Sequence, residues 1–222
     1  MAIAFSASAS AGQSGGAGVT SVTIAITCGA SDTLLIANLM TNQAQTVTGM
    51  TYDGNAMTLI SSLAPAGNNH QYVYSYGGTL STASKNVVIS FSSALAFFDA
   101  TVMTLSGSST ANPTNVTTAH TESNVTSFSG TAITTTVANA WVIDSVAVGS
   151  NASGISSTSS STIRIQSQIF DTAAQATILK ASTGSYTAGY SGPNNNWSII
   201  SFEVTPATAA AATNAAFLLN FV

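Results

Sequence analysis

Short apolar runs recur along the whole chain, rich in Val, Ile, Thr and aromatics and separated by Gly, Asn, Ser and Pro. Several alternate with a period of two. Val22, Ile24 and Ile26 share one face while Ser21, Thr23 and Thr27 share the other, and Tyr72, Tyr74 and Tyr76 form a second such row. That period suits half-buried strands, and no stretch carries the capped 3.6-residue period of an amphipathic helix. Candidate strands cover residues 19–28, 33–40, 47–52, 57–63, 71–76, 86–92 and 97–105, then 132–137, 141–148, 162–166, 168–171, 176–181, 186–190 and 197–205. Asp53-Gly54 between two of them signals a tight hairpin, because both positions of such a turn need positive φ. Turns every 8–12 residues predict an all-β sandwich or barrel.

The order of runs repeats weakly. Residues 20–38 parallel 130–145, with Asp32 and Asn139 in matching polar turns, and the closing strand at 97–105 parallels 196–204. The two offsets, 107 and 99 residues, differ by loop insertions. Two small sandwiches or one larger two-sheet jelly roll with duplicated halves both fit. The expectation favoured here is one jelly-roll-like sandwich over 19–205, with halves at about 19–105 and 130–205. Residues 106–130 hold no Gly/Pro-rich hinge and read as irregular. Residues 1–18, small and Gly/Ser-rich, read as a flexible arm. Residues 206–222 read as a tail: an Ala/Thr spacer after Pro206 leads to Phe217, Leu218, Leu219, Phe221 and Val222, a candidate assembly anchor.

Composition then excludes function classes. Of 222 residues only three are Lys or Arg and seven Asp or Glu, whereas 66 are Ser or Thr. Three cations leave no footprint for nucleic acid or an anionic membrane. No run approaches a membrane span, and the N-terminus lacks the basic and apolar regions of a signal peptide, so the expected site of synthesis is a cytoplasm. Cys28 is the single cysteine and reads as a buried hydrophobe.

Chemistry-bearing residues are sparse. His70 and His120 stand in polar stretches without a nucleophile elbow, and no phosphate-binding loop is present. Glycoside hydrolysis needs paired carboxylates. Asp99 and Glu203 occupy near-matching places in the repeated strand and Asp144 lies on another, but isolated acids on strands are ordinary. Asp53-Gly54-Asn55 is explained as a turn rather than a calcium site. Catalytic residues, cofactor and metal are therefore expected to be none. The sequons at Asn115, Asn124, Asn151 and Asn196 carry weight only in a secreted chain. A sugar site is the alternative. Asn69, His70 and Tyr72 in one loop, and Asn195 and Trp197 in another, have the aromatic and amide types that stack on and hydrogen-bond a glycan.

Met50-Thr51-Tyr52-Asp53-Gly54-Asn55-Ala56-Met57-Thr58-Leu59, Tyr72-Val73-Tyr74-Ser75-Tyr76 and Asn86-Val87-Val88-Ile89-Ser90-Phe91-Ser92 form a series. With the closing strand at Trp197, it resembles the jelly-roll modules of bacteriophage structural proteins and bacterial surface proteins. The resemblance implies a virion or cell-surface role and brings no catalytic residues. The absence of a signal sequence favours the virion, with the chain itself and other virion proteins as partners. An adhesin or carbohydrate-binding module remains the alternative.

Overall fold

In a computed structural model the chain is an all-β sandwich. The residues described are 1–42, 45–65, 69–110, 115, 117–149 and 154–208. A first, seven-stranded sheet is built from β1 (Ala4–Ile26), β2 (Asp32–Asn42), β3 (Val47–Tyr52), β4 (Asn55–Ala56), β5 (Thr58–Leu63), β6 (Asn69–Gly77) and β7 (Lys85–Ser106). A second, six-stranded sheet comprises β8 (Thr117–Ser129), β10 (Ala140–Val148), β11 (Ser156–Ser157), β12 (Thr162–Ser167), β13 (Thr172–Lys180) and β15 (Gly189–Val204). The pair β9 (Ile133–Thr134) and β14 (Ser185–Tyr186) stands apart. The hairpin between β3 and β4 turns at Asp53 and Gly54, with φ of 49° and 78°, as its sequence requires.

The repeat in the sequence is a repeat in topology. Strands run β1-β7-β2-β6-β5 in the first sheet and β8-β15-β10-β13-β12 in the second. The registers agree with both offsets: Asn38 lies opposite Thr101, and its counterpart Ser145 lies opposite Ile200. Packing obeys the same symmetry. Strand β1 lies against β12 as β5 lies against β8, and β7 against β12 as β15 against β5, so a pseudo-two-fold axis passes between β2 and β10.

Three large apolar clusters, with a small fourth of Met40, Ala147 and Ala173, hold this arrangement. The first lies within residues 4–106, where Leu35, Tyr52, Ile89 and Phe98 pack together; the second lies within 117–204 around Val142, Tyr190 and Trp197. The third joins the halves, with Leu34, Ile36, Met103 and Leu105 meeting Trp141, Ile143, Ile200 and Phe202. Alternation explains the division, since successive residues of β2 and β10 point to opposite faces. A buried amide layer crosses the same junction. Asn38 donates to the carbonyls of Val146 (3.1 Å) and Ala174 (3.0 Å), and Gln71 donates to Asn38 Oδ1 and to the Ser145 carbonyl at 2.9 Å each.

The expected two-sheet sandwich is the arrangement found: each sheet is hydrogen-bonded within one half of the chain, and the sheets of the two halves pack face to face. Two expectations are corrected. Residues 4–18 are no flexible arm but part of β1, whose residues 4–14 pair with residues 97–106 of β7. Their Ala and Ser side chains leave the backbone ladder and small apolar contacts from Ala7, Ala9 and Ala11 to hold them. The middle is not irregular either: residues 117–129 form β8 on the edge of β15.

Candidate functional site

The three strand carboxylates are separately engaged. Asp99, on β7, is fully buried and reaches across to the turn between β12 and β13. Its oxygens accept the N–H groups of Ile169 (2.9 Å), Phe170 (2.9 Å) and Asp171 (2.8 Å), with the Ser167 hydroxyl as a fourth donor. Glu203, on β15, is equally buried and accepts from Thr136 N at 2.7 Å, Thr136 Oγ1 at 2.8 Å and Val137 N at 3.3 Å. The offset of 99 pairs Asp99 with Ser198 and Glu203 with Thr104, so the two acids are not equivalents in the repeat.

Asp144 differs in chemistry. It points into the second apolar cluster, where its duplicate in the first half is Ala37. Its carboxyl receives the hydroxyls of Tyr186 (2.7 Å), Tyr190 (2.8 Å) and Ser201 (2.7 Å), and no cation pairs with it among the described residues. Burial pushes its pKa up, against the pull of those three donors. The same burial, with the neighbouring carboxylate, raises both tyrosines. Ser159 and Ser161 extend the hydroxyl chain outward at 3.1 Å from Tyr186 and Tyr190. None of the three acids faces a second one across a cleft in this bonding pattern.

The sugar-contact residues divide. Trp197 is fully buried, stacks on Phe128 at 5.9 Å, and donates its Nε1–H to the Val125 and Pro193 carbonyls. A ring in the core offers no face to a glycan, so Trp197 leaves the candidate set. Asn69 is also buried, packed so closely on Gly149 that a Cβ there would lie 2.2 Å from its amide nitrogen. Gly149 N–H in turn donates to the Asn196 carbonyl at 3.0 Å, so the two loops do meet. His70 and Tyr72 are half-buried with rings 6.3 Å apart and nearly parallel, and Asn195 is half-buried with its side chain accepting from Asn196 N. His120 pairs with Glu122 at 3.2 Å on β8. Asp53 is held by Lys85 at 3.0 Å, and the described residues contain no cluster of three or more metal-ligating side chains.

The surface is the more unusual feature. Five of the seven acids, Asp32, Asp99, Asp144, Asp171 and Glu203, are buried. Of the five remaining charges, Asp53 and Lys85 neutralise each other, Glu122 lies 3.2 Å from His120, Lys180 is half-buried at the end of β13, and Arg164 lies over the Phe5 and Trp141 rings at 5.3 and 5.6 Å. The solvent-facing side therefore carries few charges, and its polar part is mainly hydroxyl and amide. At one end an open cleft of about 470 Å³ is lined by Met1, Ile3, Trp141, Leu179 and Pro206. Met1 and Leu179 are among the most exposed large apolar side chains, and exposed Val137 borders the adjoining hollow beside Thr208. Sequence reading missed this convergence, because Met1, Val137 and Leu179 are each unremarkable alone. The candidate anchor, Phe217, Leu218, Leu219, Phe221 and Val222, lies outside the described residues. No helix of the described residues is long and apolar enough to cross a membrane. Comparison with models of protein families, with curated proteins and with solved structures finds no match.

Proposed function

We propose that this chain is a non-enzymatic structural component of a virus particle, an exterior bacteriophage capsid-decoration, head-fibre or tail protein that associates with copies of itself. The observation that carries the reading is the nearly uncharged surface left once five acids are buried. Soluble monomers ordinarily keep a quarter or more of their surface charged, which holds copies apart. A hydroxyl and amide surface instead allows many identical copies to pack without like-charge repulsion. Short Ser and Thr side chains also lose little rotamer freedom on burial. The engagement of the buried carboxyls of Asp99, Asp144 and Glu203 by structural hydrogen-bond donors supports a role without catalysis, since each acid holds its own half or junction together. In this reading the apolar residues at 217–222 anchor the protein on a neighbouring subunit.

The test is attachment. Purified chain is mixed with particles that lack it and pelleted, alongside a truncation without residues 217–222. Co-pelleting of the full chain and loss of it in a still-folded truncation is the expected result. Absence of binding to particles, together with retention on a glycan column, would move the protein to the carbohydrate-binding alternative.

A further inference from the structure

Among the described residues, strand β1 occupies an edge of its sheet along its whole length, pairing with β7 and with no other strand. Natural sheets guard such edges with charges, proline, bulges or brevity, because the open row of N–H and C=O groups is a template for another chain. The duplicated fold supplies an internal comparison. The equivalent edge strand, β8, carries Glu122 and His120, and its ladder breaks at Asn124, whose φ is 57°. Beyond that break Val125 pairs with Asn195, and residues 127–129 pair in a shifted register with residues 189–191 of β15.

Beyond the register shift between Val19 and Ser21, β1 has none of these guards. Residues 19–26 read Val-Thr-Ser-Val-Thr-Ile-Ala-Ile, without a charge, proline or glycine, and residues 21–26 run in unbroken register against residues 85–90 of β7. Six or so residues of high β-propensity and no charge are the composition that most readily adds to a sheet. The opening residues of β1 are less free: the Ser167 hydroxyl lies 3.5 Å from the Ala11 carbonyl, and β12 packs alongside. The bulge at Gly15, Gly16 and Gly18, with φ of 96°, 94° and 71°, separates that covered part from residues 19–26.

We infer that residues 19–26 form a self-association edge, pairing antiparallel with the same segment of a second copy about a two-fold axis. The partner is another copy because the segment is uncharged and its alternation is self-complementary. Ile24 and Ile26 sit in the first apolar cluster, Val22 packs against it, and Thr23 and Ala25 are exposed. Only registers that set even-numbered residues opposite even-numbered ones keep the apolar row on one face of the joined sheet. A pair built this way is isologous and closes as a dimer. Its ladder is short of a standard interface, so its affinity is modest in solution and is reinforced when copies are held side by side on a particle. The inference rests on the self-association proposed above and names its surface.

Thr23 tests it, because it is exposed at the middle of residues 21–26, and in the register centred on it the side chain lies beside its own symmetry mate. Sedimentation velocity at about 100 μM should show wild-type dimers or larger even assemblies. Thr23→Lys and Thr23→Glu should each weaken association by roughly tenfold or more, and an equimolar mixture of the two variants should restore it. Circular dichroism confirms that both variants stay folded, with Ser21→Lys as a substitute for one that does not. Folded variants that associate like wild type overturn this edge while leaving self-association standing. A monomeric wild type overturns self-association itself.

Discussion

Replacing Asp99 with alanine should cost the protein about 3–5 kcal/mol, more than a typical substitution takes. The carboxylate accepts four hydrogen bonds, three of them from consecutive backbone N–H groups at 2.8–2.9 Å. A bond to a charged acceptor contributes roughly 1.5–3 kcal/mol net, and a buried donor left unpaired costs about 1–3 kcal/mol. Asp171 and Ser167 are buried and bear that penalty in full, whereas Ile169 is 52% exposed and its neighbourhood can rehydrate. Counting two fully penalised donors and two partly relieved ones gives the range. Asp99→Asn keeps one acceptor oxygen but turns an NH₂ group toward N–H donors, so its cost should fall at about half. Because Asp99 belongs to β7 and its donors to the turn before β13, the loss falls on the junction between the halves. Urea unfolding followed by circular dichroism and by fluorescence measures it; Trp141 and Trp197 both report from the second half. A loss below about 1 kcal/mol for alanine, or equal losses for alanine and asparagine, would refute the reasoning.

The remaining predictions concern a proton, a thiol and a glycine. Burial holds the Asp144 proton on above the ordinary carboxylate value of 3.8, so the folded state binds more protons than the unfolded one. Stability from this group is complete below that value and declines as pH rises to the folded one, so the stability of Asp144→Asn relative to wild type should improve from about pH 4 upward. A flat difference across a pH series of urea midpoints would contradict this. Cys28 is buried, its Sγ lies 3.5 Å from the Tyr52 hydroxyl, and burial raises its pKa, so a thiol reagent should react slowly until denaturant is added. Gly107 has φ of 70°, and a Cβ there would lie 2.1 Å from the Ala2 carbonyl oxygen. Gly107→Ala should therefore lower stability by at least ~1–2 kcal/mol in the same urea assay.

Much of the architecture is legible in the residues, and the gaps have physical causes. The period-two rows at Val22, Ile24 and Ile26 mark a strand because large side chains must choose a face. The offsets of 107 and 99 reappear as aligned registers because both halves solve the same packing problem. Residues 4–18 were opaque for the opposite reason: Ala, Ser and Gly have little strand preference of their own, and β7 imposes theirs from about ninety residues away. β8 is polar along an exposed edge, so its strand character likewise comes from β15. Trp197 follows three asparagines and reads as a loop aromatic, yet β15 continues through that asparagine run, with register shifts on either side of Asn195, and carries the ring into the core. The buried state of Asp99, Asp144 and Glu203 depends on donors 42 to 88 positions distant, which no local pattern reveals.

The measurement closest to the central proposal is the copy number of this chain in native particles. Gradient-purified particles from cells in which the chain is made would be analysed by quantitative mass spectrometry against the major shell protein. The account predicts many copies in a fixed whole-number ratio, released together with exterior components. Absence from particles, with the chain recovered free or on the cell surface, would contradict it.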